Sequence, residues 1–372
     1  MRLAWRELVR RPGRFLTAGA ILTLISLLLM FLGGLLDGLL RASTGAVRAQ
    51  DADLIVYSES SQASFLRSRI DPALRSEIEG VPGVAEVGGI GLVQLGARVP
   101  GNGPRDLAGV AVFGYEIAPD GVPDAVPPLG QAYADDILES DGVEVGMTIL
   151  VGPARSPIEI IGFVSDTAYN AQGSLWASPE TWREVTVANR PGERLADGVF
   201  QALVVRTADG VSASDLADTI DATTGEATDT YTIAGAVEAI PGVTEQRRTF
   251  NQIIGVTILI ALVVVALFFA LLTVERTSLY GVLKALGART STLFVGLVVQ
   301  ATSVALGAAL LAGAAVVVLD LVIPPGAIPL YVTPSRLITS AALLVVAAIA
   351  GCAFSLRRVL RVDPASAIGS SQ

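Results

Sequence analysis

Lys284 is the only lysine in this chain, and Leu283 stands immediately before it. A P-loop needs glycine ahead of its lysine so that the backbone can wrap nucleotide phosphates, so Lys284 holds no nucleotide in that way. Histidine is absent and Cys352 is the single cysteine, which removes thiol–imidazole nucleophiles and the usual zinc ligand sets. Cys352 falls inside an apolar run, where it reads as a small packing residue. Acid–base chemistry would then fall to carboxylates. The close pairs in the central part are Asp135 with Asp136 and Asp51 with Asp53. Neither has a nucleophile and base arranged beside it, and solvated surface acids account for both. The expectation is a chain with no catalytic residues, no metal ligands and no cofactor bound by itself.

The elements that would carry these residues follow from hydropathy. Hydrophobic residues make up 52% of 372, charged residues 16%, and mean hydropathy is +0.59. Runs at 15–36, 253–274, 290–319 and 337–356 are free of charge. Each has about the 20 residues that an α-helix needs to cross hydrocarbon. The first exceeds the 7–15 apolar residues typical of a signal peptide, and Asp37 and Arg41 interrupt a cleavage site after it, so it reads as an uncleaved anchor. Arg10 and Arg11 lack the context of a twin-arginine signal.

Positive charge sets orientation. Arg2, Arg6, Arg10, Arg11 and Arg14 precede the first run; Arg276, Lys284 and Arg289 follow the second; Arg357, Arg358 and Arg361 follow the fourth. The loop 320–336 carries only Arg336. Short cytoplasmic loops collect Lys and Arg, which predicts both termini inside a cell (inner or cytoplasmic) membrane and residues 41–252 outside it. That outer stretch holds 30 acids against 14 arginines, a formal charge of −16. Such a surface excludes nucleic acid as a partner.

Within the outer stretch, β-branched runs alternate with turn signals. Residues 53–57 (DLIVY), 110–114 and 202–206 read as strands, and 148–152 with 158–164 as a hairpin around GPARSP. Residues 71–79 read as a helix capped by Asp71 with Pro72 in its first turn; 179–185 and 212–219 read as shorter helices. The Gly/Pro-rich stretches 99–105 and 119–130 read as exposed loops. The predicted fold class is membrane α-helical, with four transmembrane helices and a large α+β extracytoplasmic domain. Its parts are a cytoplasmic amphipathic segment 1–14, spans 15–40, 253–274, 290–319 and 337–356, the outer domain 41–252, a cytoplasmic turn 275–289, an outer loop 320–336 and a tail 357–372.

In the turn 275–289, Leu279, Val282, Leu283 and Leu286 recur at helical spacing, with Arg276, Lys284 and Arg289 left for the polar side. On periodicity alone this is also a helix lying among lipid headgroups. LYGVLKALGART resembles the cytoplasmic segment of FtsX/MacB-type ABC permeases (type VII), through Gly281, Leu283, Lys284, Ala285, Leu286 and Gly287. The start MRLAWRELVRRPGRFL is similar to that family's amphipathic opening helix, and RVDPASAIG to its closing pattern through Val362, Asp363, Pro364, Ala367 and Ile368. One span, a large outer domain and three more spans is also its topology, and the look is nearest to its haem-exporting and glycolipid permeases. The family's acid-plus-isoleucine is Leu279-Tyr280 here, which leaves Glu275 or Arg276 to make its contact.

The resemblance implies a homodimeric membrane subunit without its own ATPase site, driven by a separate cytoplasmic ABC ATPase that consumes the ATP. Glu275, Arg276, Leu279, Gly281, Leu283, Lys284, Gly287 and Arg289 would couple the two. It further implies movement of the outer domain and extrusion of a hydrophobic or amphiphilic small molecule, haem being the best single guess. Control of an extracytoplasmic partner such as a cell-wall hydrolase, and release of lipoprotein or glycolipid, are the alternatives. Met30, Tyr331, Arg247 and Arg248 are the candidate substrate contacts: a soft thioether and a phenol for an apolar or iron-bearing ligand, and two guanidinium groups for propionates or lipid phosphates. A packing Met, an interface Tyr and a membrane-anchoring arginine pair are the plainer readings. Asp37 and Asp320 fall at span ends and read as interfacial caps. The small residues of GAALLAGAA at 307–315 permit close helix contact, between chains or within one.

Overall fold

The computed structural model describes residues 12–103, 105–192, 195–275, 290–323 and 328–359. In chain order the elements are α1 (Pro12–Arg48), β1 (Leu54–Ser58), α2 (Pro72–Glu79), β2 (Val84–Arg98), β3 (Leu107–Tyr115) and β4 (Gln131–Asp135). A 3-10 turn (Asp136–Asp141) leads to β5 (Thr148–Val151), β6 (Ser156–Val164), β7 (Gly173–Ala177), α3 (Pro179–Asn189) and β8 (Ala202–Thr207). Then come α4 (Ala213–Thr223), β9 (Thr228–Thr232), α5 (Ile233–Ala239), α6 (Val243–Glu275), α7 (Thr290–Val322) and α8 (Pro334–Val359).

Two compact units result. One is helical: α1 up to Gly38, α6 from Arg248, and α7 and α8. The other is the sheet unit, Leu39–Arg247. All four long helices hold a stretch long and apolar enough to cross a membrane. All four outrun the charge-free segments, α1 and α6 by the most. α1 continues to Arg48 rather than stopping at 40, and α6 begins at Val243 rather than 253. Inside the helical unit α7 turns Ala301, Ala305, Ala308, Ala309 and Ala312 inward while Leu310, Leu311 and Leu321 face out. These five alanines pack within the chain, while Gly307, Ala314 and Ala315 are exposed. A Cβ on Gly351 of α8 would lie 2.7 Å from the Leu262 carbonyl of α6, so that glycine sets how closely two helices approach. Cys352 is buried in the same cluster.

In the sheet unit the strands that sequence signals single out are present, and so is the β5–β6 hairpin, with register Val151↔Ser156 to Thr148↔Glu159. Its turn places Gly152 and Arg155 in the left-handed region, at φ 71° and 56°. α2 is capped as expected: Asp71 accepts from the Leu74 N–H at 2.9 Å, with Pro72 beginning the helix. Ser178 caps α3 in the same way, ahead of Pro179.

The topology is organised by β2. Its first half, Val84 to Ile90, pairs with β8, and its second half, Ile90 to Arg98, pairs with β3. From β3 the pairing runs through β7, β4, β6 and β5 and back to β2. These six strands close into a ring, which leaves no free edge among them. On the other side, β2–β8–β1–β9 form an antiparallel sheet. Its chain order is strand–helix–strand twice over, β1–α2–β2 and β8–α4–β9, the split βαβ arrangement. The barrel is thus an insertion between the two halves of a four-stranded α+β sheet.

β1 shows why DLIVY reads as a continuous apolar run. Leu54 and Val56 enter one cluster with Ile78 of α2 and Leu216 and Ile220 of α4. Ile55 and Tyr57 enter the other, with Ala46 and Val47 of α1, Ala236 of α5 and Val243 at the start of α6. Both faces are covered, so no polar alternation is needed.

β2 can serve two sheets because it carries GGIG where it changes partner. A Cβ on Gly89 would lie 2.4 Å from the Phe200 ring, and one on Gly91 would lie 2.1 Å from the Trp182 ring. Trp182 and Phe200 stack with centroids 6.0 Å apart. Gly91→Ala is therefore expected to destabilise the full chain by about 1–3 kcal/mol through overpacking, read as a lower denaturation midpoint in detergent. Adding Trp182→Phe should return part of that loss, and an unchanged midpoint for Gly91→Ala would contradict the packing described.

Candidate coupling sites

The coupling residues expected from the sequence meet the structure only at Glu275, the last residue of α6. Arg276, Leu279, Gly281, Leu283, Lys284, Gly287 and Arg289 lie outside the described residues, as do the opening segment 1–11 and the tail from 360. What is described is how the first helix is fastened at two levels, once within each unit.

The fastening in the helical unit centres on GGLLD, residues 33–37. Asp37 accepts from Arg336 of α8 with both carboxylate oxygens, the Nε contact being 2.7 Å. A Cβ on Gly33 would lie 2.7 Å from Arg336 Cδ, so only glycine lets the guanidinium stem lie across α1. Gly34 accepts from the Tyr331 N–H at 3.0 Å, and a Cβ on it would lie 3.0 Å from Leu330. Thr333 accepts from the Arg336 N–H at 3.2 Å, which caps α8 and fixes where Arg336 starts. Asp37 is thus more than a solvated end-cap. Asp320, by contrast, is exposed at the end of α7.

The fastening in the sheet unit is the last part of α1 against the loop between β6 and β7. Arg41 donates to Asp166 at 2.7 Å, and Arg48 reaches both oxygens of Asp166 at 2.6 and 3.1 Å. Three backbone bonds run alongside: Ala46 N–H to the Ala168 carbonyl, Asn170 N–H to Ser43 and Ala171 N–H to Ala42, each 3.0–3.1 Å. A Cβ on Gly45 would come within 2.8 Å of backbone atoms of Asp166 and Ala168.

Asp135, one of the two carboxylate pairs weighed for chemistry, belongs to the same neighbourhood and is structural. It is 2% exposed. One oxygen accepts from the N–H and hydroxyl of Thr167, both at 2.7 Å, and the other from the Ile137 N–H, starting the 3-10 turn. Burial pushes its carboxyl above the usual range, while the Thr167 and Ile137 bonds oppose that rise. Asp136 is raised too, by burial and by Asp135. In the other pair, Asp51 and Asp53 hold Arg206 and Thr207 respectively.

The four candidate substrate contacts sit in different surroundings. Met30 is 2% exposed inside the helical cluster, and its Sδ is 3.8 Å from where a Cβ of Gly313 would sit. Tyr331 is half-exposed beside Gly34. Arg247 pairs with Glu238 at 2.9 Å, and Arg248 is exposed on α6. A shallow apolar notch, too small for more than a water-sized group, lies elsewhere in the helical unit, lined by Ala18, Leu22, Val264, Phe268, Phe269 and Val304, with Val265. No sequence pattern marks it, because its lining residues come from three helices.

Residues 251–364 match the family described as FtsX-like permease C-terminal. That stretch takes in nearly all of α6 with α7 and α8. The chain carries an FtsX-like permease domain. Among relatives of this chain, proteins with the provisional name hemin transport system permease protein HrtB, from Staphylococcus haemolyticus (strain JCSC1435) and Staphylococcus epidermidis (strain RP62A), are each 20% identical over the whole of both chains. Among solved structures, the periplasmic region of MacB from Actinobacillus actinomycetemcomitans is 10% identical. It covers 52% of this chain and 95% of its own, at a TM-score of 0.36. The extracellular domain of the noncanonic ABC-type transporter YknZ from Gram-positive bacteria is 12% identical, covering 49% and 100%, at 0.32. The strand order above, not these similarities, defines the sheet unit.

Two outcomes follow from the site geometry. Asp37→Ala and Arg336→Ala should each lower the unfolding free energy of the detergent-purified protein by about 1–3 kcal/mol, since each strands a half-buried charge. The swap Asp37→Arg with Arg336→Asp should recover much of it, whereas strictly additive losses would mean the pair is uncoupled. For Asp135, a native-state carboxyl raised above the unfolded value of about 3.9 stabilises below that value, and its contribution is lost as pH rises through the folded pKa. The stability of wild type minus that of Asp135→Asn should therefore decline with rising pH from about 4 upward, in paired denaturant titrations. A difference that grows with pH would reverse the assignment.

Proposed function

We propose that this permease is the membrane subunit of an ABC export complex, working as a homodimer with a separate cytoplasmic ATPase subunit that binds and hydrolyses the ATP. The segment 275–289 docks on that ATPase, both termini are cytoplasmic, and the sheet unit lies outside the membrane and moves when the ATPases close. The cargo is a hydrophobic or amphiphilic small molecule, haem first among candidates. The observation that carries this reading is the FtsX-like match over 251–364, on a chain that pairs end to end with relatives named for hemin transport. The arginine bias of the cytoplasmic pieces supports the orientation.

Deleting the gene and challenging cells with haem tests the cargo. Hypersensitivity with intracellular haem accumulating and normal septation is the expected result. Ordinary haem tolerance with chained cells would instead favour control of a cell-wall enzyme by the sheet unit.

A further inference from the structure

The proposed function requires motion of the spans to reach the sheet unit, and two long helices, α1 and α6, belong in part to each unit. The route along α1 has an additional fastening that chain connectivity does not demand. After Arg48 the backbone passes through residues 49–53 straight into β1, so α1 is already tied to the four-stranded sheet. The Asp166 loop ties it to the barrel as well.

Three features make this fastening a joint that transmits displacement. The backbone bonds from Ala46, Asn170 and Ala171 are directional, and a slip of one residue along α1 would lose all of them. Arg41 and Arg48 lie seven residues apart, on one face of the helix, and converge on the single carboxylate of Asp166. Asp166, Asn170 and Ala171 are held at φ of 61°, 51° and 59°, the left-handed region that residues other than glycine seldom enter. Such conformations persist where surrounding contacts fix them. Beyond the loop the connection continues inward: Thr167 binds buried Asp135 of β4 and also contacts the Ser174 hydroxyl of β7 at 2.7 Å.

Resting on the proposed function, we infer that the joint of Arg41, Gly45 and Arg48 with the 166–171 loop is the positioning device through which α1 moves the barrel. The barrel would then shift relative to the four-stranded sheet, about the β2 segment that the two share.

The test uses the full permease co-purified with its ATPase partner in lipid nanodiscs, with ATP as the trigger and spin-label distances as readout. One label pair reports within the sheet unit, at Glu139 beside the barrel and Asp218 on α4. A second reports within the helical unit, at Leu24 of α1 and Ile338 of α8. In wild type, ATP should shift both distances. The Asp166→Arg variant, which sets a cation against Arg41 and Arg48, should keep the helical shift and lose the sheet-unit shift at least fivefold. Protection of the Ile55 and Val204 amides from hydrogen exchange would establish that its core is intact. Reversing all three charges (Arg41→Asp, Arg48→Asp, Asp166→Arg) should restore at least half of the lost shift. A wild-type sheet-unit shift in the single variant, or a folded triple variant without restoration, overturns the joint. A wild-type complex whose helical pair shifts alone also overturns it and leaves the export reading standing. If neither pair shifts, the proposed function fails and the joint fails with it.

Discussion

Strand β2 belongs to two sheets at once, and the sheet unit is built around that constraint. A strand that changes partners half-way must present both edges and both faces to protein, which removes room for side chains at the crossing point. Glycines at 88, 89 and 91 supply that room, and Ile117, Phe200 and Trp182 occupy it. The same crossing lets one chain close a six-stranded ring and complete a four-stranded sheet without leaving a barrel edge exposed. Of the four-stranded sheet, β9 is the outer strand, and its residues are polar: Thr228, Asp229, Thr230, Tyr231 and Thr232. A polar outer strand resists pairing with another chain.

The helices that leave the membrane stretch do not end there. Ala46 and Val47 of α1 and Val243 of α6 are buried in the same aromatic-rich cluster as Tyr57, Phe113 and Trp176. Close-packed interiors respond to displacement as units rather than deforming smoothly. Burying the helix ends this deeply therefore fixes them within the sheet unit's core. The ion pairs on Asp166 add direction more than stability, since partly exposed pairs contribute modestly. What they specify is which loop α1 holds and at what register.

Polar groups in the helical unit follow a stricter economy. Asp37 and Arg336 satisfy each other across α1 and α8, half-buried, where an unpaired charge is costly. The pair needs Gly33 beside it, because the arginine stem passes where any side chain would stand. Close helix approach recurs at Gly351, again set by the absence of a Cβ. The buried alanines of α7 make contacts within the chain, while Gly307, Ala314 and Ala315 stay exposed beside Leu310 and Leu311.

Much of this was legible from residue types alone. Charge-free runs of sufficient length fixed four helices, because an unsatisfied backbone in hydrocarbon leaves no other choice for a single segment. The cap at Asp71 and the GPARSP turn marked α2 and the β5–β6 hairpin through bonds only a few residues long, and 179–185 read as the helix that Ser178 caps in the structure. Motifs at 281–287 and 362–368 pointed to the permease family that the match over 251–364 supports. The sequence did not mark β2, whose 15 residues hold four glycines and read as weak strand, nor the closure of the barrel, which depends on pairings between residues far apart. It also placed the ends of α1 and α6 at their last apolar residues, whereas both helices run on into the sheet unit and are buried there. Asp37 with Arg336, and Asp166 with Arg41 and Arg48, are separated by 299, 125 and 118 residues. Local chemistry decides what a residue can bond, but only the folded chain decides which partner arrives, because that choice is made by the packing of whole elements.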